Sequence, residues 1–176
     1  MADLSTAFNP ALPASNSNVA SDAQSKIALV SDAASNAQSK ISARSAVWDR
    51  KTVVLHIYDP SSALEAGEEK IIFPIPATLD GMNLVGLGGH LATAATSGVV
   101  AVQVRNITSG VDMLSEARKL EWDATEKNTK DASASSVAVI NTANDGVSEG
   151  DEVAVDIDAI GSGAKGLWVW LAFEKP

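Results

Sequence analysis

Ser21-Asp22-Ala23-Gln24-Ser25-Lys26-Ile27 returns fourteen residues later as Ser35-Asn36-Ala37-Gln38-Ser39-Lys40-Ile41, with one position changed. Fourteen residues are two heptads, and the apolar positions run Ala20, Ala23, Ile27, Val30, Ala34, Ala37, Ile41 at alternating spacings of three and four. That is the seam of a left-handed coiled coil, with Ala20, Ile27, Ala34 and Ile41 at a and Ala23, Val30 and Ala37 at d. The spacing predicts a helix from Ala20 to about Ala46, opened by Ser17 or Ser21 as N-cap and roughly 40 Å long. Its other faces are rich in Ser and Asn, so a single copy would be marginal in water and needs sister chains. Isoleucine at a with small or β-branched residues at d fits two or three strands. The alternative, one amphipathic helix folded onto the rest of the chain, would need a core made mostly of Ala and Ser. Arg44 takes the next d position, so the seam loosens as the stalk, residues 20–48, reaches Val47-Trp48.

Upstream, residues 1–19 hold Pro10 and Pro13, which forbid a regular helix, and only Leu4, Phe8 and Leu12 as large apolar side chains before Val19. Two readings stand: a disordered tail, or an extended arm that anchors into a larger assembly through Leu4, Phe8 and Leu12. The opening residues lack a basic and then apolar run, so no secretory signal is expected. Mean hydropathy is near zero and no apolar run has membrane length, so no membrane insertion is expected. The chain has no cysteine, which excludes disulfides and thiolate metal sites. Its two histidines, His56 and His90, are far apart in sequence and make a histidine metal site or a catalytic triad improbable. Charge is unevenly placed. Residues 1–48 balance Asp3, Asp22 and Asp32 against Lys26, Lys40 and Arg44, so the whole net charge of −9 falls on residues 49–176. An acidic surface of that kind excludes nucleic acid as partner.

From Val47 onward the apolar period drops to two, with about eight strand candidates. Lys51–Tyr58 alternates cleanly, Asp59-Pro60-Ser61-Ser62 reads as a turn, and Lys70–Pro76 reads as an edge or bulged strand because of Pro74 and Pro76. Asn83–Ala95 contains Gly86, Gly88 and Gly89 and predicts a bent strand where backbones approach closely. Val99–Asn106 sets Val100, Val102 and Val104 inside against Ala101, Gln103 and Arg105 outside. Ala117–Trp122 and Ser136–Ile140 are shorter, and Asn144-Asp145-Gly146 is a turn. Asp151–Ala159 sets Val153, Val155 and Ile157 against Glu152, Ala154, Asp156 and Asp158. The expected fold for residues 49–176 is mainly β: an antiparallel β-sandwich of jelly-roll type. The last strand, Gly166–Phe173, is apolar on both sides, so the face bearing Trp168 and Trp170 must be covered, by a second copy or by the stalk. The competing reading is a ligand platform, in which Trp168 and Trp170, or Trp122 and Tyr58, stack on sugar rings.

Catalytic chemistry finds no support. Asp156 and Asp158 share a strand face but read as acids on a solvated strand rather than a glycosidase pair. Asn144-Asp145-Gly146 with Glu149 and Asp151 is oxygen-rich but lacks calcium-loop spacing. Gly86-Leu87-Gly88-Gly89 lacks the lysine of a phosphate loop, and Arg105 and Arg118 stand isolated. No enzyme activity, metal or cofactor is expected.

The order of arm, Ser/Ala/Gln heptads and Gly-rich β domain resembles the fibre, spike and capsid decoration proteins of tailed bacteriophages. The phrase SDAQSKIALVSDAASNAQSKISA is similar to trimeric phage fibre stalks, and FPIPATLDGMNLV through GLWVWLAF resembles a small β domain of virion proteins. The resemblance covers most of residues 20–176. It implies a homotrimer at the virion surface, made in the host cytoplasm. Residues 1–19 would dock on other virion proteins of capsid or tail, and the β domain would face outward toward a host glycan or receptor. Three heptads suit a short fibre or decoration.

Overall fold

The computed structural model describes residues 15–131 and 137–176. The chain divides into two compact units, residues 1–47 and 48–176. The described residues of the first belong to one helix, α1 (Ser15–Asp49, 35 residues), which runs on to Asp49. Leu4, Phe8 and Leu12 lie outside the described residues, and so does the side chain of Ala20. The helix starts earlier than the heptads require, so Ser15–Val19 are helical rather than part of an extended arm, and neither Ser17 nor Ser21 caps it. Proline forbids helix only at its own position and the turn before it, and Ser15 is already two residues past Pro13. The serines are absorbed locally: Ser39 Oγ donates to the Ser35 carbonyl one turn back (2.9 Å).

The second unit is mainly β. Among the described residues nine strands form two antiparallel sheets: β1 (Lys51–Ala63), β2 (Gly67–Pro74), β3 (Met82–Thr93), β4 (Val100–Asn106), β5 (Val111–Asp112), β6 (Leu120–Trp122), β7 (Gly146–Val147), β8 (Glu152–Ala159) and β9 (Lys165–Glu174). The first sheet has the order β1-β9-β3-β7. The second is β2-β8-β4-β5, with β6 also on β4. Early strands pair with late ones: Leu55 lies opposite Val169, Leu87 opposite Leu171 and Phe73 opposite Val153. The two sheets share one core. Leu55, Leu84, Leu91, Leu167, Val169, Leu171 and Phe173 from the first meet Val100, Val102, Val104, Val153, Val155 and Ile157 from the second. Burying each such side chain contributes about 1.5–3 kcal/mol before the entropy of ordering the chain.

Several local expectations change. Asp59-Pro60-Ser61-Ser62 is not a turn but the far half of β1, carried by register breaks between His56 and Tyr58 and between Tyr58 and Ala63. Pro60 is tolerated because β1 is a sheet edge and its missing N–H costs no ladder bond. Within 137–140 of the Ser136–Ile140 candidate there is no strand, only an isolated bridge from Leu114 to Ile140. The outward residues of β4 are also buried: Ala101 and Gln103 are nearly inaccessible. β5 and β6 flank β4 along one edge with a gap between them, and the Gln103 amide fills it. Its Oε1 accepts from the Leu114 N–H (3.2 Å) and its Nε2 donates to the Leu114 carbonyl (3.4 Å), taking the place of a ladder partner.

Candidate functional site

The first sheet turns Thr52, Val54 and His56 of β1 outward, beside Ala172, Trp170 and Trp168 of β9. Gly86, Gly88 and His90 of β3 complete that face. Trp168 is the middle of a stack. The His56 ring lies 5.0 Å from it, nearly parallel at 11°, and His90 lies 6.0 Å away on the other strand, tilted by 42°. The histidines that were too far apart in sequence to cooperate are thus brought to opposite sides of one indole. Trp170 rests on glycine: a Cβ built on Gly88 would come within 2.5 Å of its Cζ2, so only hydrogen leaves room for the ring. Both tryptophans are half-buried, while Val54 is 67% exposed. The carboxylates of this face lie at its ends: Glu174, paired with Arg50 (3.1 Å), and Asp59, whose Oδ1 lies 3.7 Å from His56 Nε2.

Trp122 does not belong to a platform. It is fully buried, against Gly89, with its Nε1 unpartnered. Tyr58 is half-buried and its hydroxyl donates to the Glu65 carbonyl (3.4 Å). The glycines at 88 and 89 are therefore explained by two indoles and, at Gly89, by the close approach of the Trp168 backbone carbonyl as well. Gly88 admits Trp170 from outside and Gly89 admits Trp122 from inside.

The second sheet's outer side is ionic. Arg105 is not isolated: its Nε donates to Asp156 Oδ2 (3.1 Å), and its Nη2 reaches Glu68 (3.2 Å) and Glu69 (3.3 Å). Asp156 is not a solvated acid either, since it is buried and its Oδ1 accepts from the Glu69 N–H (2.6 Å). Glu69 takes a left-handed backbone (φ 53°) to make that contact, at the break in register between Gly67 and Ile71. The Asp156 field, opposed by desolvation, raises the Arg105 guanidinium further above its already high value. Asp158 instead meets Lys119 (3.0 Å), which also binds Glu116 (2.8 Å). Asp156 and Asp158 each neutralise a different cation, so they share no cleft. Arg118 Nε donates to the Val137 carbonyl (3.1 Å).

Beside Asn144-Asp145-Gly146, the Asp151 carboxylate is engaged within the fold. Asp151 Oδ2 accepts from Asn106 Nδ2 and from the Ser148 N–H, both at 2.9 Å. No cluster of potential metal ligands occurs among the described residues. No helix among them is long and apolar enough to cross a membrane.

On α1 the described seam side chains, Ala23, Ile27, Val30, Ala34, Ala37 and Ile41, are all exposed, with Ile27 at 68%, Val30 at 69% and Ile41 at 60%. Leu29 is equally open. Comparison with protein-family models, with curated proteins and with solved structures gives no match.

Proposed function

We propose that this chain is a structural component of a tailed-phage virion, a short homotrimeric fibre, spike or capsid decoration protein. In this reading α1 is a coiled-coil stalk seamed by Ala20, Ala23, Ile27, Val30, Ala34, Ala37 and Ile41. The N-terminal arm with Leu4, Phe8 and Leu12 docks on other virion proteins. Residues 49–176 form a jelly-roll sandwich projecting from the virion surface. The observation that carries the reading is the exposure of the seam. A helix of 35 residues whose Ile27, Val30 and Ile41 are exposed leaves up to about 1.5–3 kcal/mol per side chain to be gained when a partner covers them. The strand order supports the jelly roll: consecutive strands β1 to β4 alternate between sheets, and β8 and β9 return to pair with β2 and β1, as two nested Greek keys require. The split pair β5 and β6 occupies one strand position on β4. The phage assignment rests on the resemblance of the stalk and β-domain phrases.

The test is solution mass by light scattering. Wild type is expected at three chains and the Ile27→Asp/Ile41→Asp variant at one, because carboxylates in a closed seam cost several kcal/mol. An unchanged mass in the variant sinks the coiled coil. The second reading is a receptor- or glycan-binding module, favoured by the half-buried Trp168, flanked by two imidazoles, with the half-buried Trp170 beside it. One indole side of Trp168 is already covered by His56 and one side of Trp170 by Gly88. That leaves less open ring than a stacking platform needs, and places this reading second.

A further inference from the structure

We infer that the outer face of the β1–β9–β3 sheet is where the β domains of three copies of this chain meet. This rests on the trimeric reading of α1. The helix ends at Asp49 and β1 begins at Lys51, so Arg50 alone lies between them. Two Cα steps reach about 8 Å, and helices in a coiled coil lie about 8–10 Å apart, so three β1 strands would begin within about 25 Å of one another. The seam loosens at Arg44, yet the chain stays helical to Asp49, so no flexible linker separates the stalk from β1. Tethers this short hold neighbouring domains at about millimolar effective concentration, where a patch too weak to join free domains still closes.

Charge selects the face. Residues 49–176 carry the full −9, so domains brought together repel unless they meet on neutral surface. The second sheet's outer side presents Glu68, Glu69, Asp112 and Asp158, which outnumber the Arg105 and Lys119 they surround. The first sheet's outer side presents Val54, Trp170, Trp168 and two imidazoles, with its carboxylates confined to the ends. It is also the sheet that contains β1, the strand joined to the stalk. Half-buried tryptophans beside an open valine are the composition of an interface centre.

The chain has no cysteine, so Val54→Cys introduces a single thiol on this face, and Ile72→Cys places one on the other sheet's outer side as control. Each is made in the full chain, and its labelling by a bulky maleimide is timed while light scattering gives the mass. In the trimer, Cys at 54 is expected to label about tenfold or more slowly than Cys at 72, as protection by a closed contact requires. In the Ile27→Asp/Ile41→Asp background the two should label alike. A trimer in which position 54 labels as fast as position 72 overturns the interface and leaves the stalk standing. A wild-type monomer overturns both.

Discussion

Gly88 and Gly89 are neighbours on one strand, yet adding a methyl to each should have unequal consequences. At Gly88 a Cβ would sit 2.5 Å from Trp170 Cζ2, 2.6 Å from Cε2 and 2.7 Å from Nε1. Trp170 lies on the outer face and is only half-buried within its own domain, so its ring has more room to shift than a core side chain. The loss is then part of its packing, about 1–2 kcal/mol, offset by the roughly 0.4–1 kcal/mol that alanine gains by restricting the unfolded chain. At Gly89 the Cβ would meet Trp122 Cζ2 at 2.5 Å and the Trp168 carbonyl oxygen at 2.6 Å. Trp122 is fully buried and the carbonyl is backbone, so neither can yield. Overpacking of that kind costs about 3 kcal/mol or more. Gly88→Ala should therefore cost about 1 kcal/mol and Gly89→Ala at least about 2 kcal/mol more. Guanidinium unfolding of the full chain at one fixed concentration measures both, since the stability of an oligomer depends on concentration. A Trp170→Ala background should abolish the cost of Gly88→Ala and leave that of Gly89→Ala intact. Equal losses at the two glycines, or no rescue by Trp170→Ala, would refute the account of why this strand is glycine-rich.

The ion cluster predicts an asymmetry. Arg105→Met strands the buried Asp156 carboxylate and should cost about 3 kcal/mol, whereas Asp156→Asn leaves Arg105 its two glutamates and should cost about 1 kcal/mol, read by the same unfolding assay. Similar costs would mean that Asp156 is not held by Arg105. Asp112 predicts a pH effect. Burial first, and then the Glu116 charge, raise its carboxyl above the ordinary value, with Lys119 and Arg105 opposing. The folded state holds that proton more tightly than the unfolded one. The contribution of Asp112 is favourable at low pH and is lost as pH rises through the folded value. Asp112→Asn should therefore melt higher than wild type at pH 7, and the gap should close as pH falls below about 3.8. A gap that does not depend on pH would show that ionisation is not the cause.

The strands were legible where apolar residues alternate with polar or small ones, whether or not the second face turns out to be wet. Lys51–Tyr58, Val99–Asn106 and Asp151–Ala159 all lie where the alternation put them, and Pro74 marked β2 as an edge. What period two cannot tell is which side of an outward-facing strand another segment will cover. Gln103 and Asp156 looked like solvent residues because their partners, Leu114 on one side and Glu69 with Arg105 on the other, come from distant parts of the chain. The turn signal in Asp59-Pro60-Ser61-Ser62 lost to the demands of an edge strand. The heptads fixed the helix but not its start, since the first turns of α1 lie outside the repeat. Trp168 and Trp170 were recognisable as an unusual outward pair. That His56 and His90 would flank one of them follows from pairings across β9, which no local pattern contains.

The two longest edge strands, β1 and β2, belong to different sheets and follow one another in the chain. An unpaired edge is a template for aggregation by strand addition, and the hazard grows when copies are held close together. Here both edges are spoiled in the same way. β1 breaks register twice and carries Pro60, while β2 breaks register once, with Glu69 in a left-handed conformation, and ends on Pro74. A flat edge cannot propagate past such irregularities. The bulges that made these stretches hard to read as strands are what would let many copies be displayed side by side without knitting into fibrils.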